Sequence, residues 1–519
     1  MADIVLSTLN AKYIHTAFGL RYLLANLGPL RTQAVIAEFD INQRPVDIVE
    51  RLLAQSPRII GLGIYIWNAA PAAEVVAILK RLRPDILVIL GGPEVSYEVE
   101  EQPIARLADY VITGEADLKF AEVCARLLAG ERPGGKVIAA DPPEFSQLAL
   151  PYDDYDAQDV AHRVIYVEAS RGCPFTCEFC LSSLDIPVRR APAPVLLEHL
   201  ARLLERGVRH LKFVDRTFNL DTATSAQILE FLLRRCQPGH FFHFEMVPDR
   251  LPQRLRELIA QFPPGALQIE AGVQTFNEEV AARIGRRQNY ERLEENLRFL
   301  RRHAAAHVHA DLIAGLPGES FESFAAGFDR LVGLEPQEIQ VGILKRLRGT
   351  PIIRHDAEWQ MTYNPQPPYE LLRNNLLDFP TMQGLRRFAR YWDLVSNSGN
   401  FLETTPLVWS GADPAWRSPF HSFMRWAQWL HARVGRTDGI ALLRLMHLLF
   451  DYLAGELRLD PKTVAQSLWR DYQRGGRRDK PSFLADYLTP GPPQPLAPSD
   501  RPSIPKRQAR RRAAMGLGG

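Results

Sequence analysis

Arg171-Gly172-Cys173-Pro174-Phe175-Thr176-Cys177-Glu178-Phe179-Cys180 is the stretch on which the reading of this chain turns. It holds three of only five cysteines, spaced Cys-x3-Cys-x2-Cys. Zinc sites commonly pair two close cysteines with a second pair further along, and no fourth cysteine or Cys/His pair stands nearby. Three thiolates on one loop suit a [4Fe–4S] cluster with one iron left without a protein ligand. By thiol count alone, a three-cysteine zinc or iron site with a remote fourth ligand stands beside that reading. The preceding run Arg163–Ser170 (RVIYVEAS) reads as a buried strand. The cysteines therefore follow a strand's C-terminal end, which in α/β barrels is the catalytic face.

The loop resembles the signature of the radical S-adenosylmethionine (SAM) superfamily, including Arg-Gly-Cys at its start and the aromatic Phe179 before the last cysteine. The resemblance implies that Cys173, Cys177 and Cys180 bind a [4Fe–4S] cluster, with SAM on the fourth iron and Phe179 beside it.

At 519 residues the chain has room for roughly two to four domains. A hydrophobic content of 46% and a charged content of 24% describe an ordinary globular protein, and a net charge of +2 names no partner. No apolar run approaches the roughly 20 residues of a membrane helix. The N-terminus leads directly into a strand without a signal-peptide pattern. Five cysteines, three of them in one loop, are not a disulfide framework. The expectation is a cytoplasmic protein with no membrane association, a compartment that suits an oxygen-sensitive cluster.

Ahead of the cysteines, β-rich runs at Ile4–Ser7, Val35–Phe39, Arg58–Tyr65, Asp85–Leu90 and Tyr110–Ile112 alternate with helical patterns. That alternation predicts a parallel, doubly wound sheet, which binds ligands beyond its strands' carboxyl ends. Gly91, Gly92 and Gly114 fall at those ends and permit close backbone approach to a flat ligand; as plain turns they suit a flavodoxin-like domain equally. The order of a strand ending in Gly91-Gly92-Pro93, then Asp109–Glu115, resembles the cobalamin-binding domain found ahead of many radical SAM domains. The resemblance implies cobalamin over the sheet's C-terminal edge, with Asn10, Tyr13, His15, Gly91, Gly92, Gly114 and Glu115 as candidate contacts. It departs at Lys12–Gly19: cobalt-ligating loops of this kind carry an aspartate two residues before the histidine and His15 has none, so besides a cobalt ligand His15 reads as a polar loop residue or a contact to a cofactor side chain. Residues 130–160 are rich in glycine, proline and aspartate and read as a linker with little to form a core; the first domain ends at 140 and the linker spans 141–162.

From 163 to 351, six β-rich runs alternate with helical ones, predicting a partial (β/α)6 barrel of the TIM type, open on one side. Polar residues at strand ends become candidates. The resemblance assigns Asp215 and Asn219, after the second strand, to SAM, and places Gln274 and Asp311 on the SAM side. Glu245, inside the third strand, requires a partner for its buried carboxylate, either a SAM ribose hydroxyl, a substrate group or a barrel arginine. Arg216, Lys345 and Arg346 suit anionic groups or solvated surface. Cys124 and Cys236 lie on helical apolar patterns and read as packed. Gly349-Thr350-Pro351 resembles the segment that ends many such barrels.

Residues 352–488 are helical and aromatic, and Phe388–Gly399 (FARYWDLVSNSG) resembles a helical extension in an uncharacterised branch of cobalamin-type radical SAM proteins. Residues 489–519 read as a disordered tail, proline-rich and then strongly basic at Lys506–Arg512, of the kind that attracts nucleic acid or simply solubilises a terminus.

Taken together the resemblances imply a cobalamin-dependent radical SAM enzyme. It would cleave SAM to a 5′-deoxyadenosyl radical and methylate, or otherwise modify, an unactivated carbon, with flavodoxin or ferredoxin as electron donor. The rivals are a methylthiotransferase-like RNA-modifying enzyme, which lacks here the three further cysteines of a second cluster, and a cluster- or cobalamin-based sensor.

Overall fold

The computed structural model describes residues 2–185, 187–411, 417–488 and 506–514, with side chains to 510 in the last stretch. It forms two compact units: Met1–Phe218 with Lys345–Ile353 and Asn364–Glu370, and Asn219–Leu344 with Arg354–Tyr363 and Leu371–Gly519.

The first unit opens with β1 (Ile4–Asn10), α1 (Phe18–Ala25), β2 (Ala34–Asp40), α2 (Pro45–Leu53), β3 (Ile59–Gly63), α3 (Ala69–Leu82), β4 (Leu87–Gly91), α4 (Pro103–Leu107), β5 (Tyr110–Gly114), α5 (Lys119–Leu128) and β6 (Val137–Ala140). The strands are parallel in the order β2-β1-β3-β4-β5-β6, the expected flavodoxin-like winding. Helices cover both faces, so the strands read as continuous apolar runs. Val5, Ile60, Leu62, Val88, Leu90 and Val111 pack on α2, α3 and α4, while Ile4, Leu6, Ile59, Ile89 and Ile112 pack on α1 and α5.

The expectation that residues 130–160 contribute little core is corrected. Val137–Ala140 pairs along β5 as an edge strand. Tyr152 and Tyr155 are fully buried and Phe145 nearly so. Their hydroxyls and rings explain why a Pro- and Asp-rich stretch still packs: Tyr155 donates to the Tyr166 carbonyl at 2.7 Å and Tyr152 to that of Glu168 at 3.1 Å. The helix α6 (Ala157–His162) closes this segment through a capping box at Asp156 and Asp159. Asp159 joins Arg21, Glu38 and Arg163 in a buried ion network that pins the segment to α1 and β2.

The same unit continues with β7 (Ile165–Val167), β8 (Ser170–Arg171), β9 (Arg189–Arg190), α7 (Ala193–Glu205) and β10 (His210–Phe213). β7 and β10 pair in parallel, and β8 and β9 form a short antiparallel ladder at the base of the cysteine loop.

The second unit carries α8 (Thr222–Arg234), β11 (Phe241–Met246), α9 (Gln253–Ala260), β12 (Leu267–Gln274), α10 (Glu278–Arg283), α11 (Tyr290–His303), β13 (His307–Ala314), α12 (Phe321–Val332) and β14 (Glu338–Ile343). Its strands are parallel and adjacent in sequence order, so all six strands expected between 163 and 351 are present. A two-stranded ribbon, β15 (Thr362–Tyr363) and β16 (Leu371–Arg373), precedes the helices α13 (Phe379–Trp392), α14 (Pro419–Val434), α15 (Leu442–Phe450) and α16 (Pro461–Arg474). Aromatic residues of this region and of α12 form core: Phe328, Phe388, Trp392, Phe420, Phe423 and Trp426 interlock at centroid separations of 4.8–6.0 Å. Buried Asn397 clamps β14, accepting from the Ile339 N–H and donating to its carbonyl.

The tail expectation is partly corrected. Lys506–Ala514 is helical (α17). Arg507 pairs with Glu338 and Asp393, Gln508 is buried against Gln268, and Arg510 donates to the Ser398 carbonyl. Composition shows the basic run but not these acceptors, which come from β12, β14 and the turn after α13. Residues 489–505 and 515–519 lie outside the described residues.

Candidate functional site

The cysteine loop springs from the β8–β9 ladder. Gly172 takes φ +88°, and a Cβ there would lie 2.7 Å from the Asp185 carbonyl oxygen. That close approach lets the Cys173 N–H donate to the Asp185 carbonyl at 3.0 Å, closing the loop's neck. Cys173 and Cys177 are buried and Cys180 is half-buried, as is Phe179. None of the three forms a disulfide, and burial pushes the Cys173 thiol up. Among the described residues no three such side chains converge tightly enough for a single ion. A cubane takes its thiolates on three separate irons, so its ligands are spread along a loop like this one. The remaining cysteines are of another kind: Cys124 is fully buried and its thiol is pushed up to about 12, and burial raises Cys236 too.

A cavity of about 280 Å³ opens beside this loop in the same unit. Its origin is legible in strand alternation. On the face that packs α1 and α5, Ile59 is followed by Gly61 and Gly63, Ile89 by Gly91, and Ile112 by Gly114. Three adjacent strands thus replace branched side chains by glycine at their carboxyl ends, and those glycines, with Gly19 and Gly92, line the cavity. Phe120 and Tyr65 wall it, and Asp117, Glu168 and Arg171 form its polar rim. Gly61, Gly63, Tyr65 and Phe120 were not singled out from sequence; the period-two Gly-Leu-Gly inside the RIIGLGIY run was the available signal.

The other residues proposed for this side lie elsewhere. Buried Asn10 donates to Glu38 Oε1 at 3.0 Å. Tyr13 is exposed, with Arg163 over its ring. His15 Nδ1 is 2.7 Å from Tyr166 Oη, and burial lowers its pKa. None of the three is among the cavity's lining residues; Tyr13 and His15 tie the loop after β1 to Arg163 and Tyr166, and Asn10 ties the end of β1 to β2. Glu115 pairs with Arg171 and Arg189, which hold its carboxyl low against the upward push of burial. Arg346, read as an anion holder or solvated surface, is instead committed to Glu98 at 3.0 Å.

Asp215, assigned by resemblance to SAM, has protein partners of its own. It is fully engaged beneath the cysteine loop, accepting from the Ala169 N–H at 2.9 Å and from Ser170 Oγ at 2.6 Å. Burial pushes its pKa from 3.8 up to about 7. Between those values the folded state holds a proton that the unfolded chain has lost, so Asp215 makes stability fall as pH rises through that window. Melting temperatures of wild type and Asp215→Asn should therefore diverge in the variant's favour as pH rises from about 5 to about 7, and parallel profiles would refute this assignment. Asn219 is likewise committed: it accepts from the Val247 N–H and donates to the carbonyls of Val247 and Arg250. Sequence placed both residues correctly at strand ends but did not show these protein partners.

In the second unit, strand alternation gathers Glu245, Gln274 and Asp311 on one face of β11–β13. Register aligns Glu245, Glu270, His309 and Glu338 in a single row. His243 Nε2 lies 3.0 Å from Glu270, His307 Nε2 2.8 Å from Glu338, and His309 Nε2 3.2 Å from Asp311. Burial would lower the His309 pKa, but Asp311 overrides it and the result is a raised value. Gln274 sits at a β-bulge with φ +71°, a left-handed conformation that costs a non-glycine residue about 1–2 kcal/mol. The cofactor candidates thus lie within a polar, histidine- and carboxylate-lined sheet face whose histidines were not singled out from sequence.

Comparison with known proteins matches this architecture. The B12 binding domain family matches residues 4–124, the Radical SAM superfamily residues 167–331, and a protein family of unknown function, DUF4080, residues 357–491. An uncharacterized methyltransferase, PH0819, of Pyrococcus horikoshii is 31% identical over 209 residues, 35% of this chain. The chain spans less than half of that protein, 44% of its length. The cobalamin-dependent radical SAM methyltransferase TokK of Streptomyces tokunonensis is 22% identical, with 86% of this chain and 70% of TokK aligned. The structure of the radical SAM methyltransferase TsrM from Kitasatospora setae superposes with a TM-score of 0.57 at 15% identity, covering 73% of this chain and 80% of that one. That likeness is one of fold. The two matched domain families imply a [4Fe–4S] cluster, SAM and cobalamin. With a B12-binding sheet, a radical SAM barrel and a DUF4080 helical region in one polypeptide, the chain is a cobalamin-binding-domain-containing radical SAM protein.

Proposed function

We propose that the protein is a cobalamin-dependent radical SAM enzyme that methylates an unactivated carbon. The observation that carries this reading is the glycine-lined cavity beside the three-cysteine loop, within one compact unit. A fold selected for stability alone would fill that space, since each buried branched side chain is worth about 1.5–3 kcal/mol. Leaving it open at three adjacent strand ends supports a resident ligand.

In this reading Cys173, Cys177 and Cys180 hold the cluster, and the cavity at Gly61, Gly63, Gly91, Gly92 and Gly114 receives part of a cobalamin that otherwise lies over the sheet's carboxyl edge. When bound, a reduced cluster with SAM supplies a 5′-deoxyadenosyl radical, and cobalamin supplies a transferable methyl group. The chain's part is to position. Buried Cys173 and Cys177 keep water from the cluster's site, and the Gly172 neck fixes where the loop stands. Asp215 anchors the strand beneath it through Ala169 and Ser170. Glu245, Gln274 and Asp311 offer acceptors and donors to SAM or substrate along β11–β13. The methylthiotransferase alternative gains nothing from Cys124, which is sealed in the α5 core. An oxygen-sensitive cluster suits a reducing cytoplasm, with flavodoxin or ferredoxin as the proposed electron donor.

The test is anaerobic reconstitution with iron and sulfide, with and without hydroxocobalamin, followed by SAM and dithionite. Quantified 5′-deoxyadenosine and S-adenosylhomocysteine together with stoichiometric bound cobalt is the expected result. Folded protein that fails to take up either the cluster or cobalt overturns the reading.

A further inference from the structure

Arg171 stands immediately before Gly172 and Cys173, yet its side chain points to the other site. Its Nε donates to Glu168 at 2.9 Å, and its terminal nitrogens donate to Glu115 at 2.9 Å and to Asp117 at 2.9 and 3.1 Å. Asp117 and Glu168 are buried, and with Arg171 they form the polar rim of the glycine-lined cavity. The guanidinium is packed over the Tyr22 ring at 4.4 Å and near Phe145 at 5.5 Å, so its position is fixed from both sides. A second, parallel route joins the same places. Glu115 also pairs with Arg189, Arg189 pairs with Asp185 at 2.9 Å, and the Asp185 carbonyl receives the Cys173 N–H. Glu115 and Asp117 follow β5 at the sheet's carboxyl edge, and Cys173 opens the cysteine loop. The two are thus linked through a rigid, bidentate and buried fork rather than a flexible surface pair.

We propose that Arg171 is a positioning residue that makes the cavity and the cysteine loop one thermodynamic unit. Filling the cavity fixes Asp117 and Glu168, which fix Arg171 and so the start of the cysteine loop; a cluster in the loop favours the same arrangement and tightens the cavity in return. Such coupling is reciprocal for binding free energies. The inference rests on the assignment of cluster and cobalamin to these two sites.

The experiment measures hydroxocobalamin affinity of the full-length protein with and without a reconstituted cluster, in wild type, Arg171→Met, Arg171→Lys and Asp117→Asn. Electron paramagnetic resonance of the reduced cluster, with and without hydroxocobalamin, is recorded alongside. In wild type the cluster should tighten cobalamin binding by about fivefold or more, the lower end of typical coupling. In Arg171→Met that ratio should fall to about one, and the cluster's spectrum should no longer respond to cobalamin. Arg171→Lys should recover little, because a single ammonium does not span Glu168 and Asp117. Asp117→Asn, which leaves the loop's own residues unchanged, should reduce the ratio as well and keeps the question open to test if Arg171→Met does not fold. Variants that bind both groups with undiminished coupling, or wild type that binds both with a ratio of one, overturn the proposal. Wild type that fails to bind one of the two overturns the functional reading, and this inference with it.

Discussion

Cys177→Ala should abolish 5′-deoxyadenosine formation while leaving the fold in place and cobalamin bound as tightly as in the cluster-free wild type. Cys177 is one of three loop cysteines outside any disulfide, and neither Cys124 nor Cys236 is placed to substitute, since burial raises both thiols and they belong to helix or helix-end positions. Removing a direct ligand should cost more than the ~10–100-fold that loss of a ligand's supporting partner costs a metal site. Iron and sulfide content after reconstitution checks the claim directly. The far-ultraviolet spectrum should be unchanged, because the loop's neck is held by the Gly172 turn and the Cys173 N–H, not by the Cys177 side chain. A variant that retains wild-type iron and product would show that the loop is not the cluster site.

Gly91→Leu should separate the second cofactor from the first. A Cβ at Gly91 meets nothing closer than the Ile112 carbonyl at 3.7 Å, an ordinary contact, so the backbone accepts a side chain there. The rest of the leucine must then occupy the cavity of about 280 Å³ that Gly91 lines. Overfilling a shaped site costs about 1–3 kcal/mol, which corresponds to a hydroxocobalamin affinity weakened about 5–150-fold. Iron content should stay at the wild-type level. Gly92→Ala is the contrasting variant: φ is +105° and its Cβ would stand 2.5 Å from the Ile64 carbonyl oxygen, so its effect should appear as a lowered melting temperature. Unchanged cobalamin affinity in Gly91→Leu would place that cofactor outside the cavity.

By itself the sequence determined the cysteine loop, the two parallel sheets and the helical region that follows. It could do so because these features are local: thiol spacing lies within one loop, strand and helix periods within short windows, and a strand ending in glycine announces a turn or a close approach. Only the tertiary structure decided which polar residues are available to a ligand. Asp215 and Asn219 stand where site residues belong, and each also has protein partners, Ala169 and Ser170 for the one and Val247 and Arg250 for the other. Asn10 and His15 have partners of the same kind, Glu38 for the one and Tyr166 at Nδ1 for the other. Conversely, Gly61 and Gly63 acquire meaning only because β4 and β5 place Gly91 and Gly114 beside them, and Arg171 only because Asp117 is folded against it. The same holds for Arg507, whose acceptors Glu338 and Asp393 are distant in the chain. A hydrogen bond or an ion pair is a property of two groups, and when the second is more than a few dozen residues away, no window of sequence contains both.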